Sequence, residues 1–107
     1  MTFVQVTTTT STREEAERIA STAVSEHLAA CAQVGGPLGS TFRWHGAIDR
    51  ATEWVCHLKT TTERFPALSA RIKALHSYDT PEIIAVPIVG GSPEYLDWIA
   101  AQVRREG

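Results

Sequence analysis

The chain has 107 residues, 43% of them hydrophobic and 21% charged. That is enough apolar mass for one modest core and enough charge to solvate its surface, which excludes a disordered chain and suggests one domain spanning residues 1–107. Ten Lys and Arg against twelve Asp and Glu give a net charge of -2 with no basic run, so no nucleic-acid partner is expected.

No apolar run approaches the roughly 18 to 20 residues of a membrane-crossing helix, so no membrane partner is expected either. No cationic segment precedes an apolar run at the N-terminus, which gives no support to a cleaved signal peptide. Cys31 and Cys56 are too widely spaced for a CxxC-type metal or redox motif. Two free thiols in the cytoplasm are the simplest expectation.

In chain order, Val4 and Val6 alternate with Phe3, Gln5 and Thr7, predicting a short half-buried strand that ends in the polar cluster Thr7 to Thr12. Ser11 with Glu14, or Thr12 with Glu15, has the spacing of a capping box. Ala16, Ile19, Ala20, Ala23, Val24, His27 and Leu28 then form one apolar stripe, predicting a helix from about Thr12 to Leu28 with His27 partly buried on it. Ala29 to Val34, Gly35-Gly36-Pro37 and the alternation through Trp44 predict a long strand kinked at the glycines. Gly46 to Ala51 reads as a hairpin connection to an antiparallel strand carrying Trp54, Cys56 and Leu58.

Glu63 to Leu75 presents Phe65, Leu68, Ile72 and Leu75 on one helical face, with Pro66 in the first turn. Pro81 opens a run of branched residues to Val89 that predicts a mostly buried strand, with Pro87 at an edge. Ser92 or Ser92-Pro93 caps a last helix whose Leu96, Ile99, Ala100 and Val103 share a face. The order β-α-β-β-α-β plus a C-terminal helix is the ferredoxin-like arrangement, an α+β sandwich with a four-stranded antiparallel sheet.

Cys31 lies where a helix runs into a strand. It reads either as a small buried hydrophobe or as a soft ligand that, with an imidazole, suits copper or zinc. Cys56, between Trp54 and Leu58, reads as core. His76-Ser77-Tyr78-Asp79 followed by Pro81-Glu82 gathers an imidazole, a phenol and two carboxylates in one loop, either a functional cluster or a polar turn. His45 and His57 fall on the polar side of the paired strands, either as a weak metal pair or as a solvated surface. Glu53, Arg43 and Lys59 share that side, where cross-strand ion pairs would account for them. No G-x-S-x-G, GxxxxGK[ST], H-E-x-x-H or GxGxxG pattern occurs, so enzyme classes lack support.

Several of these segments together resemble the divalent-cation tolerance protein CutA family: Leu28-Ala29-Ala30-Cys31, Phe42-Arg43-Trp44 with Gly46 and Ile48, Leu58-Lys59-Thr60, His76 with Tyr78, Pro81-Glu82-Ile83, and Tyr95-Leu96 with Trp98. The resemblance implies a ferredoxin-like homotrimer, similar in architecture to nitrogen-regulatory PII proteins, acting in the response to metal ions without being an enzyme. It implies copper or another divalent cation as ligand, with Cys31 and His76 as candidate metal residues. Trp44, Lys59, Tyr78, Asp79 and Glu82 are then candidates for an inter-subunit cleft. Thr8 and Leu75 stand where members with a copper site carry a cysteine and a second histidine. The alternative reading is a PII-like trimer whose clefts bind a small anionic metabolite through Lys59 and Arg43, or a partner protein. Lys59, near the end of the third strand, and Glu82, near the start of the fourth, are expected to pair at one end of the sheet.

Overall fold

β1 (Phe3–Thr10) runs straight through the threonine tract, not into a loop at Thr7. Threonine is β-branched and fits a pleated surface, and Thr8 and Thr10 continue the inward row of Val4 and Val6 into full burial. The computed structural model, which describes residues 2–104, continues with α1 (Arg13–Ser25), β2 (Cys31–Trp44), β3 (Ala47–Thr61), α2 (Phe65–Leu75), β4 (Ile84–Ile88) and α3 (Pro93–Gln102). The four strands form one antiparallel sheet in the order β2-β3-β1-β4, an α+β fold with three helices.

Thr12 is the N-cap of α1, its hydroxyl accepting from the Glu15 amide at 3.2 Å, so the second of the two candidate capping pairs is the one used. The helix stops at Ser25, earlier than the stripe suggested. His27 lies beyond it with φ of 58°, exposed, its Nδ1 2.9 Å from the Gln102 carbonyl oxygen. The expected place for His27 on the apolar helix face is therefore wrong, because the chain has already turned into the left-handed region there. Ala16, Ile19 and Ala23 of α1 and Leu68 and Ile72 of α2 pack against Val4, Val6, Cys56 and Leu58, closing the inner face of the sheet. A second, smaller cluster of Ala30, Ile99 and Val103 with Phe3 and Leu96 seats α3.

β2 and β3 pair over nearly their whole length, with a register shift between Gly35 and Leu38 where the kink was expected. Gly36 has φ of +145°, and a Cβ there would come within 2.7 Å of Trp54 Cδ1, so only glycine fits. The hairpin turn is far tighter than Gly46 to Ala51. Trp44 pairs with Ala47, and His45 and Gly46 both take positive φ, 50° and 79°, the two-residue geometry whose twist matches the strands. β1 pairs with β3 only as far as Thr10 opposite Trp54. Beyond that level the hairpin is a two-stranded arm.

β4 is shorter and less covered than its sequence suggested. It pairs only with β1, at the sheet edge, and Ile84 and Val86 are half-exposed while Val89 is fully exposed. Its apolar run reflects a strand whose outward face is left open in a single chain.

Candidate functional site

The loop after α2 is built around His76. Its side chain has no exposed surface, its Nε2 donates to the Thr9 carbonyl at 2.8 Å, and the Tyr78 amide donates to its Nδ1 at 3.1 Å. Those two bonds occupy both ring nitrogens, and Glu15 of α1 stands 3.4 Å from Nδ1 while accepting from the Ser77 amide at 3.4 Å. The imidazole thus ties the end of β1 to the start of the loop. Tyr78 is carried outward from it, its ring tilted against the imidazole at 4.8 Å between centroids.

The Tyr78 hydroxyl donates to Glu53 Oε2 at 2.8 Å. Burial, then the hydrogen bond to the Glu53 carboxylate and its charge, push the Tyr78 phenol up to about 12. Glu53 sits on β3 opposite Leu38, at the base of the arm, and is only 8% exposed. Among the described residues no Lys, Arg or His pairs with it. The expected ladder of ion pairs does not form, because Lys59 lies six residues farther along the strand and donates instead to Gln33 Oε1 at 2.7 Å.

Between the arm and the loop lies a cleft of about 640 Å³. Phe42, Trp44 and Asp49 line it from the arm, Glu53 from the arm's base, and Tyr78, Asp79 and Glu82 from the loop. Among the described residues no Lys, Arg or His lines it, so the charged groups of the lining are four carboxylates. Of the residues singled out from sequence, Trp44, Tyr78, Asp79 and Glu82 come together here. Phe42, Asp49 and Glu53 join them unanticipated. Strand alternation had put Glu53 on the polar side, but nothing in the sequence signals that the arm folds its outward row toward a loop more than twenty residues away.

Lys59 does not line this cleft within the single chain. β3 and β4 are both antiparallel to β1 and therefore parallel to each other, so the end of one lies beside the end of the other. Lys59 is level with Gln5 and Val86, whereas Glu82 precedes the Thr7–Ile84 pair at the opposite end. The expected Lys59–Glu82 pair is corrected on that ground. Arg43, opposite Ile48, is roughly 35 Å along β3 from Lys59. His57 faces Gln33 and Thr7, its Nδ1 3.0 Å from the Thr7 hydroxyl, while His45 is at the hairpin tip roughly 30 Å away, so these two form no pair.

The candidate metal residues are likewise separated. Cys31 is level with Lys59 and partly exposed, its Sγ 3.4 Å from the Tyr95 hydroxyl, a contact that raises the Tyr95 phenol above its ordinary value together with burial. His76 is bonded to Thr9, four β1 residues farther, roughly 13 Å along the sheet and two strands across. Metal ligands bond at about 2 Å, so one ion does not reach both. Thr8 is buried against the helices with no hydrogen-bond partner for its hydroxyl among the described residues, and Leu75 packs on the core. Among the described residues no three His, Cys, Asp or Glu side chains converge to hold a metal ion. Cys56 is fully buried, and burial pushes its thiol up to about 12.

Comparison with known proteins identifies the family and the fold. Residues 4–102 match the family model described as CutA1 divalent ion tolerance protein. The divalent-cation tolerance protein CutA of Thermus thermophilus is 46% identical over 91 residues, covering 85% of this chain and 88% of that protein. The crystal structure of CutA1 from Oryza sativa superposes with a TM-score of 0.95 at 34% identity, covering 99% of this chain and 97% of that one. The periplasmic divalent cation tolerance protein CutA from Archaeoglobus fulgidus gives 0.92 at 42% identity, covering 95% and 99%. With nearly the whole length matched in sequence and in structure, the chain belongs to the CutA1 divalent ion tolerance family.

Proposed function

We propose that this protein is a non-catalytic, cation-responsive binding protein, a ferredoxin-like single-domain subunit that assembles as a homotrimer, with the acidic cleft as its ligand site. The observation that carries the reading is the set of four cleft carboxylates with no basic residue among the lining groups. Such a cleft attracts cations and repels anions. The alternative of an anionic metabolite held by Lys59 and Arg43 has less support, since those cations lie far apart within one chain and outside the cleft.

The trimer is supported by the open edge of β4, the half-exposed Ile84, Val86 and Trp98, and the unsupported arm, each of which gains from a second copy. A cytoplasmic location accords with two unpaired thiols, one of them partly exposed. A thiolate–imidazole copper centre of Cys31 and His76 does not fit the separation of those residues within the chain. Divalent ions would instead associate through scattered carboxylates, weakly and exchangeably, as suits tolerance of an ion in excess.

Native mass spectrometry of untagged protein tests assembly and ligand together. The expected result is a species of three times the 11.7 kDa chain mass that takes up cations in competition with salt. A stable monomer at micromolar concentration overturns the trimer. Preferential uptake of phosphate-type anions overturns the cation reading.

A further inference from the structure

Glu15 and His76 meet as two acceptors with no proton between them. The Thr9 carbonyl can only accept, so the proton of the neutral His76 ring sits on Nε2, and Nδ1 carries the lone pair to which the Tyr78 amide donates at 3.1 Å. Glu15 Oε2 stands 3.4 Å from that same Nδ1. The imidazole has no exposed surface and the carboxylate side chain is 8% exposed, so little water screens one from the other. With both ring nitrogens committed inside the chain, the ring has no lone pair left for a metal ion.

The segments that meet at this ring bring few charged or titratable groups. α1 supplies Glu15, β1 only the Thr9 carbonyl, the loop Tyr78, and β3 supplies Glu53 behind the Tyr78 hydroxyl. Among the described residues no Lys or Arg pairs with either carboxylate, and the Ser77 amide reaches Glu15 only at 3.4 Å. Tyr78, its phenol pushed up to about 12, keeps its proton through the neutral range. Imidazole is the side chain that ordinarily changes charge between pH 5 and 8, which makes His76 the group that takes up the missing proton.

We propose that His76 is a proton-operated latch: a proton arriving from solvent on Nδ1 turns that atom from acceptor to donor, exchanges the Tyr78 amide for Glu15 as its partner, and loosens the loop from the base of the arm. One hydrogen bond breaks and one forms. The new N–H and the Tyr78 N–H cannot point at each other, so the peptide before Tyr78 turns away. The bond gained to Glu15 joins two ionised groups and is roughly twice as strong as a neutral one, which drives the exchange. The same Tyr78 carries the hydroxyl that donates to Glu53 at 2.8 Å, so a turn of its peptide is passed to the contact that holds the loop against β3. The latch acts whether or not anything fills the cleft.

Nuclear magnetic resonance of the isotope-labelled, assembled protein between about pH 8 and pH 5 tests it with two readouts. The ring-nitrogen shifts of His76 should pass from the neutral form protonated on Nε2 to the form protonated on both nitrogens. With the same midpoint, protection of the Tyr78 amide from hydrogen exchange, corrected for the intrinsic pH dependence, should fall about tenfold or more. Glu15→Gln keeps an acceptor for the Ser77 amide and a residue that suits the helix cap while removing the charge, and should move both midpoints down by about one pH unit. A His76 ring still neutral at the acid end, Tyr78 protection that follows His27, His45 or His57 instead, or midpoints that Glu15→Gln leaves in place each overturn the latch. If Glu15→Gln does not fold, the wild-type titration decides alone, since coincident midpoints at His76 and Tyr78 are required and separate ones overturn the coupling.

Discussion

The two faces of the sheet are made of the same strands and do different work. On the inner face Val4, Val6, Cys56 and Leu58 are sealed by two helices, and even Thr8, Thr10 and Thr60 are fully buried. On the outer face Gln5, Thr7, His57 and Lys59 are only half-buried and bonded among themselves or to Gln33, with Ile84 and Val86 open beside them. Period-two alternation makes this division possible, since one strand serves both faces. The inner face fixes stability, and the outer face, with the arm that extends it, is the surface on which the proposed binding and assembly would draw.

The largest test of that contrast is a pair of truncations one residue apart. Leu58→Ala should destabilise the protein by about 3 kcal/mol through lost burial and a cavity, whereas His57→Ala should cost less than about 1 kcal/mol. Urea unfolding of the two variants measures both, and equal losses would erase the distinction. Next, Gly36→Ala should cost about 2 kcal/mol, because a Cβ meets the Trp54 ring in a backbone conformation that alanine rarely adopts. A melt unchanged from wild type would mean that the bulge at the arm's base tolerates a side chain.

The thiols sharpen the same contrast. Cys31 should react with a disulfide reagent in the folded protein, while Cys56, buried and pushed up to about 12, should react only on unfolding. Thiol counts with and without denaturant check this. The smallest expected effect is at Tyr78. A phenol raised to about 12 in the fold and near 10 when unfolded contributes stability that is complete below about 10 and is lost as pH climbs through about 12. In a Tyr95→Phe background, Glu53→Gln should move the Tyr78 titration, followed by tyrosinate absorbance, to lower pH. No movement would mean that burial alone sets it.

The sequence made most of the fold legible because hydrophobic period, caps and glycines act locally: the Thr12 cap, the Gly35–Leu38 irregularity and the Pro93–Gln102 helix all lie where pattern placed them. It misled where one residue type serves two purposes. The threonine tract looked like a loop because threonine is polar, yet its branched side chain extends β1. His45-Gly46 escaped notice as a two-residue turn because histidine replaces the usual Asn or Asp there. Of the site, the loop residues Tyr78, Asp79 and Glu82 stood out, since functional groups cluster in loops. Glu53 did not, because its importance arises from burial against Tyr78, a contact between distant segments. The Lys59–Glu82 pair was misread because the direction of β4 relative to β3 was not fixed by pattern.

β3 is continuous from Thr61 in the sheet to Ala47 at the tip, and its neighbour β2 is irregular at the level where the arm leaves the body. The arm from Glu53 to Ala47 is therefore a lever about 20 Å long. A rotation of about 10° at its base swings the tip by roughly 3 to 4 Å, about the thickness of an aromatic ring. Phe42, Trp44 and Asp49 travel with the lever, while Tyr78, Asp79 and Glu82 stay with the body. The width of the space between them thus follows from the angle at which the arm leaves the body.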